Sequence, residues 1–206
     1  MALVGFLAIL TPFGVVGGAE TNKLTKAEVS QLLPKGWDLP NPSELQQEIA
    51  NRKRLVEAGE RAFAALDEVL AETDNYLVAS RILSIFCDAK GDKSIPIKAT
   101  KELLLRSRGK TWGESNIRAN AAATLGKIGG PNDTDVLVPL LDDDYETVAI
   151  NAFQAIAKIG TETAIPQIEH FLTARRSKLT PDEAAKDMRC IEASNAVEIL
   201  NKRRLK

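Results

Sequence analysis

One stretch of this chain occurs twice, and that repeat limits what the chain can fold into more than any other feature. Residues Ile117-Arg118-Ala119-Asn120-Ala121-Ala122-Ala123-Thr124-Leu125-Gly126-Lys127-Ile128-Gly129 return 31 positions later as Val148-Ala149-Ile150-Asn151-Ala152-Phe153-Gln154-Ala155-Ile156-Ala157-Lys158-Ile159-Gly160. Ile117, Ala121, Leu125 and Ile128 match Val148, Ala152, Ile156 and Ile159. Steps of four, four and three residues place each set along one face of a helix. Val78, Ile82, Phe86 and Ala89 carry the same stripe 39 residues before Ile117. The 70-residue offset from Val78 to Val148 also takes Ile95-Pro96 onto Ile165-Pro166, so repetition extends beyond the stripes. A short helical unit cannot bury its apolar face alone and must stack on its neighbours.

The spacing therefore predicts an all-α, right-handed α-solenoid of about four helix pairs closed by a terminal capping helix. Helices are expected at Glu44–Ala58, Glu60–Ala71, from about Asp74, Lys93–Ser107, Asn116–Ile128, Thr134–Leu141, Tyr145–Ile159 and Glu162–Ala174. Thr25, Ser43, Asp74 and Asp144 are placed to cap helices. Leu45, Ile49 and Leu55 are expected to face the core, and Trp112 to sit in a loop. One last helix should run from Pro181 toward Arg204 as a worn copy of the unit. At an offset of 74, Ile191 and Ile199 fall on Ile117 and Leu125, while Asn195 and Lys202 replace Ala121 and Ile128. A terminal repeat needs such a polar outer face, because no neighbour covers it.

The N-terminus divides into two parts ahead of residues 43–206, the expected repeat domain. Residues 1–19 carry no charge, and an apolar run from Leu3 to Leu10 is followed by Val15-Val16-Gly17-Gly18-Ala19. An apolar core followed by small residues reads as a signal peptide, with cleavage after Ala19, although no Lys or Arg precedes the run. The alternative is an uncleaved membrane anchor, for which nineteen residues broken by Pro12 are marginal. Residues 20–42 read as a linker with one short helix, and Trp37 is expected to dock on the first repeat. The expected location is periplasmic or secreted, in a bacterium.

Few enzyme classes fit what remains. His170 is the single histidine, and Cys87 and Cys190 are the two cysteines, so a structural zinc site lacks its ligands and any histidine-centred triad would have to use His170. Both cysteines read as small core residues with no disulfide between them. The run Asp142-Asp143-Asp144 lacks the spacing of a calcium loop and reads as turn and cap residues. Net charge is −1, so no overall field draws nucleic acid or a membrane. The chain from His170 onward holds nine basic and five acidic residues, which makes one basic end. No aromatics interleave there to stack bases.

The repeated text resembles HEAT-like repeats of the short type first noted in phycobilisome lyases. The residues that carry the resemblance are Ile117-Arg118-Ala119, Ala122, Leu125-Gly126, Ile128-Gly129, Val138-Pro139-Leu140 and Leu141-Asp142-Asp143. The second copy matches in Val148, Ala152, Ile156, Ile159-Gly160, Ala164, Ile165-Pro166 and Leu172. The arginine that opens this type of helix stands at Arg118, whereas Ala79 and Ala149 take its place elsewhere. The resemblance implies a scaffold fold, and members include bilin lyases, adaptors and exported proteins.

Three residues after the stripe starts come Arg81, Asn120, Asn151 and Ser194. Asparagine is a poor helix interior residue, so two at one repeat position call for a reason. They either form a polar ladder on a concave face that binds a peptide backbone, or they bond the neighbouring repeat. The expected function is a non-catalytic protein-binding scaffold, without cofactor or metal, that meets a protein or peptide on its concave face. The alternative is a lyase-type or chaperone-like protein that handles a phycobilin.

Overall fold

The computed structural model describes residues 23–34 and 41–205, all of whose regular structure is helical. The α-helices are α1 (Lys26–Leu32), α2 (Pro42–Ala58), α3 (Glu60–Glu72), α4 (Tyr76–Asp88), α5 (Ser94–Arg106), α6 (Trp112–Ile128), α7 (Glu146–Ile159), α8 (Ile165–Arg176), α9 (Pro181–Lys186) and α10 (Met188–Arg204). Short 3-10 segments lie at Pro131–Val136, Val138–Asp142 and Glu162–Ala164. The expectations for residues 1–19 and for Trp37 fall outside the described residues. Among the described residues, no helix is long and apolar enough to cross a membrane.

The helices stack as a two-layered all-α solenoid. One layer runs α2, α4, α6, α7 and α10, and contains the striped helices. Helices α1, α3 and α5, the two 3-10 segments after α6, and α8 form the other. The stripes face between the layers, and Ile82, Phe86, Leu125, Ala152, Phe153 and Ile156 have no exposed surface. Aromatic pairs tie the layers together. Phe63 of α3 meets Phe86 of α4 edge-on at 5.8 Å, and Phe153 of α7 meets Phe171 of α8 at 4.9 Å. The Lys93 ammonium lies 5.4 Å above the Phe63 ring.

Small residues set the spacing within the striped layer. A Cβ on Gly126 of α6 would lie 2.8 Å from both the Cα and Cβ of Ala155 on α7. The two helices thus approach more closely there than side chains would allow. Gly59 turns the chain between α2 and α3 at φ 58°, a conformation that costs other residues energy. A Cβ there would also strike the Lys90 carbonyl oxygen at 2.8 Å.

Several boundaries differ from those the sequence predicts, each for a local reason. Thr134–Leu141 is not an α-helix but parts of two 3-10 segments, because Pro139 lacks the N–H that an interior turn needs. The last helix is broken in two, since Asp187 ends α9 and its side chain caps α10 by accepting from the Cys190 N–H at 3.0 Å. Helix α2 is capped by Asn41 rather than Ser43, with Pro42 in its first turn and Glu44 completing a capping box. Asn75 rather than Asp74 caps α4. Asp144 is not the cap of α7, whose N-cap position is held by Tyr145.

Leu45 and Ile49 do not join the core, and are 43% and 55% exposed. Helix α2 ends the layer, with α4 on one side and no further helix beyond it among the described residues. The register expected for α10 is also displaced. Its buried residues are Cys190, Ala193, Ala196 and Leu200, which leaves Ile191 half-buried and Ile199 40% exposed.

Candidate functional site

The striped layer presents one polar face, and the residues singled out by the repeat are found along it in part. Arg81 of α4 pairs with Glu48 of α2. Asn120 of α6 donates its amide Nδ2 to the Ser80 hydroxyl of α4 at 2.8 Å. Asn151 of α7 donates its Nδ2 to the Ala119 carbonyl oxygen of α6 at 3.0 Å. Each side chain therefore reaches back to the preceding helix of the layer. Ser194 does not share this arrangement. Its hydroxyl donates to the Cys190 carbonyl of its own helix and accepts from Arg176 of α8, in the other layer.

The asparagines are anchored but not saturated. A carbonyl oxygen can only accept, so the Ala119 contact fixes which end of the Asn151 amide points at α6. The Oδ1 atoms of both asparagines have no hydrogen-bond partner among the described residues. Both residues are half-buried, so their free acceptors lie at the surface of the layer. Arg81 is more committed. Burial pushes its guanidinium below the ordinary arginine value, and its Nε is closed from solvent without a partner.

Charge is distributed unevenly around this face. Near the C-terminal ends of the striped helices Asp88 is shared by Lys127, at 2.7 Å, and Arg52. The Lys127 hydrogen bond and then the Arg52 hydrogen bond hold the Asp88 carboxyl below the usual carboxylate range. Lys158 occupies the position of Lys127 one repeat on, and is exposed. The basic C-terminal end adds Lys202, Arg203 and Arg204 in the last turn of α10.

Arg118 and the acidic run are spent on the framework. The Arg118 guanidinium is buried, donates to both carboxylate oxygens of Asp143 at 2.7 and 3.1 Å, and caps the Ser107 and Gly109 carbonyls. Asp144 pairs with Lys110 at 2.8 Å. Among the described residues no three His, Cys, Asp or Glu side chains converge on a metal-sized space. His170 is exposed, Cys190 is buried, Cys87 is half-buried, and both cysteines are free.

One feature of this face escaped the reading of the sequence. Helix α6 starts four residues earlier than the stripe implies, which puts Trp112 in its first turn rather than in a loop. Thr111 caps it by accepting from the Glu114 N–H, and Thr111 Oγ1 donates to the Glu114 carboxylate at 2.8 Å. The signal was present, since Thr-x-x-Glu is a capping-box pattern. Trp112 stands 62% exposed at the N-terminal edge of the layer, its ring edge-on to Tyr76 at 5.0 Å.

No match is found among curated proteins. A designed armadillo repeat protein is similar to the chain at 18% identity, over 86% of this chain and 100% of that one, with a TM-score of 0.44. Residues 113–188, from the second residue of α6 to the first residue of α10, match the family model for HEAT repeats.

Proposed function

We propose that this chain is a non-catalytic scaffold that holds an extended segment of a partner protein along the exposed face of the striped layer. The observation that carries this reading is the pair Asn120 and Asn151. Both stand at one repeat position, both are pinned by their amide donors, and both keep an unused carbonyl oxygen. An extended partner has main-chain N–H groups to satisfy, and a fixed row of acceptors suits it. Pinning the amides beforehand lowers the entropy lost on binding. In this reading the face is the concave side of the solenoid, and the basic C-terminal end receives an acidic part of the partner. The protein acts outside the cytoplasm, with residues 1–19 as its export signal.

A displayed library of random linear dodecapeptides, selected on the immobilised protein, tests the reading. Selection should enrich linear sequences that bind the native protein. The double substitution Asn120→Ala and Asn151→Ala should weaken them about tenfold, or about 1.4 kcal/mol. Stability should change little. Failure to enrich any peptide, or unchanged affinity in a destabilised double variant, would count against the acceptor row.

A further inference from the structure

A small groove opens at the N-terminal edge of the striped layer, between the starts of α6 and α7. It encloses about 100 Å³ and is lined by Trp112, Ser115, Asn116, Ala119, Tyr145 and Glu146, among others. Trp112 and Tyr145 are the aromatic residues of its lining, and Ser115 and Ala119 are small ones.

Hydrogen bonds and a ring contact hold several of the groove's side chains. The Tyr145 hydroxyl donates to the Lys110 carbonyl at 2.6 Å, which pins one ring. The edge contact with Tyr76 steadies the other. Ser115 Oγ donates its hydrogen, and Asn116 Nδ2 one of its two, to the Trp112 carbonyl at 2.8 Å. The Trp112 indole N–H is different. It makes no hydrogen bond among the described residues, on a residue that is mostly exposed. Glu146 is exposed, with neither a hydrogen bond from its carboxylate nor an ion pair among the described residues.

We propose that this groove binds a proline-rich, lysine- or arginine-containing segment of another protein in the polyproline II conformation. Such a segment has no internal hydrogen bonds, and its carbonyl oxygens stay open to a donor such as the Trp112 indole. Proline rings pack well against flat aromatic walls, and a preformed helix loses little entropy on docking. Glu146 supplies the opposite charge for a basic residue beside the prolines. The inference goes beyond the asparagine row and asks for different chemistry. The row offers acceptors to main-chain N–H groups, which proline lacks, whereas the groove offers a donor and two rings.

The test uses the full chain and a fluorescein-labelled peptide of six prolines flanked by two lysines at each end, read by anisotropy. One control replaces the prolines by alanine, and another replaces the lysines by glutamate. The proline–lysine peptide should bind about tenfold more tightly than either control. Trp112→Ala should lose most of this binding. Trp112→Phe keeps a ring without the indole N–H and should lose part of it, which preserves the test if the alanine variant folds poorly. Glu146→Gln should lower affinity and flatten its dependence on salt. The selected dodecapeptides and the proline–lysine peptide are measured separately, so the groove and the acceptor row succeed or fail separately. Equal binding of the alanine-core peptide, no loss in Trp112→Ala, or no binding at about 1 mM peptide would overturn the proposal. So would self-association in sedimentation that Trp112→Ala abolishes, because the groove would then belong to a second copy of this chain.

Discussion

Arg118 and Asp143 form a two-pronged ion pair across 25 residues of chain, and it joins the middle of α6 to the loop that leads into α7. The side chains are 7% and 10% exposed, so water replaces little of what the pair supplies. Arg118 also caps two carbonyls, which leaves its removal uncompensated. Arg118→Ala should cost about 3–5 kcal/mol, as breaking a buried pair does. Arg118→Lys should recover only part of this, since an ammonium cannot match the forked geometry. Urea denaturation of both variants measures the difference, and equal midpoints for wild type and Arg118→Ala would refute the assignment.

Gly126 and Gly130 give opposite expectations for the same substitution. Alanine at Gly126 would gain about 1 kcal/mol of helix propensity. It would also push α6 from Ala155 on α7, which costs about 1–3 kcal/mol or more. A net loss is expected. A Cβ on Gly130 meets nothing within 4 Å, and its φ of −135° is open to any residue. Gly130→Ala should stabilise by about 0.4–1 kcal/mol through the unfolded chain. Thermal unfolding of the two variants decides the signs.

Ile156 lies in the stripe with no exposed surface, whereas Gln154 is exposed two positions earlier. Ile156→Ala should cost about 2–5 kcal/mol. Gln154→Ala should stay within about 0.5 kcal/mol of the native protein, as surface changes do. Similar denaturation midpoints for the two would show the helix to be turned.

Asp187 makes part of the stability dependent on pH. Burial pushes its carboxyl up, but the Arg175 hydrogen bond, at 2.6 Å, the Cys190 N–H and the Arg175 charge together hold it below the usual carboxylate range. A carboxyl with a lowered folded-state value contributes stability above its unfolded value. That contribution is lost as pH falls through the folded value. Asp187→Asn can keep the cap of α10 but not the ion pair, and should cost about 1 kcal/mol at neutral pH. This is less than the roughly 1.5–3 kcal/mol of a charged hydrogen bond, because Arg175 is 34% exposed and solvent screens the pair. The gap between variant and native protein should close in acid. A gap that persists at the lowest pH where both fold would argue against the pair.

Export predicts a mature chain that begins near Glu20, after Gly17-Gly18-Ala19. Intact-mass measurement of protein recovered from a native-like host checks it. A cytoplasmic product that keeps residues 1–19 would dismiss the export reading.

The sequence carried the architecture because burial repeats. Phe86, Leu125 and Ile156 lie at matching steps, and each is fully enclosed. Boundaries were less legible where two signals competed. Asp74 and Asn75 both suit a cap, and only the local turn decides for Asn75. Pro139 was visible, yet the strong match of Val138-Pro139-Leu140 to the repeat masked its effect on the helix. The repeat offset misplaced Ile191 and Ile199 in α10, whereas the spacing of Cys190, Ala193 and Leu200 marks the face that is buried. The asparagines stood out through their spacing alone, but the atoms they spend on the neighbouring helix depend on packing. Trp112 was overlooked because a glycine on each side of it suggested a loop.

The striped layer is joined by different forces along its length. Between α2 and α4 the described links include two ion pairs, Arg81 with Glu48 and Arg52 with Asp88. Between α6 and α7 the link is contact of small residues at Gly126 and Ala155. Concentrated salt weakens the first joint by screening and strengthens the second by favouring apolar contact. The stack therefore has a soft end and a hard middle, and it should peel from α2 inward rather than open everywhere at once. Amide protons of α2 should exchange with solvent well before those of α7, and a bound segment that spans both would act as a clasp on the loose end.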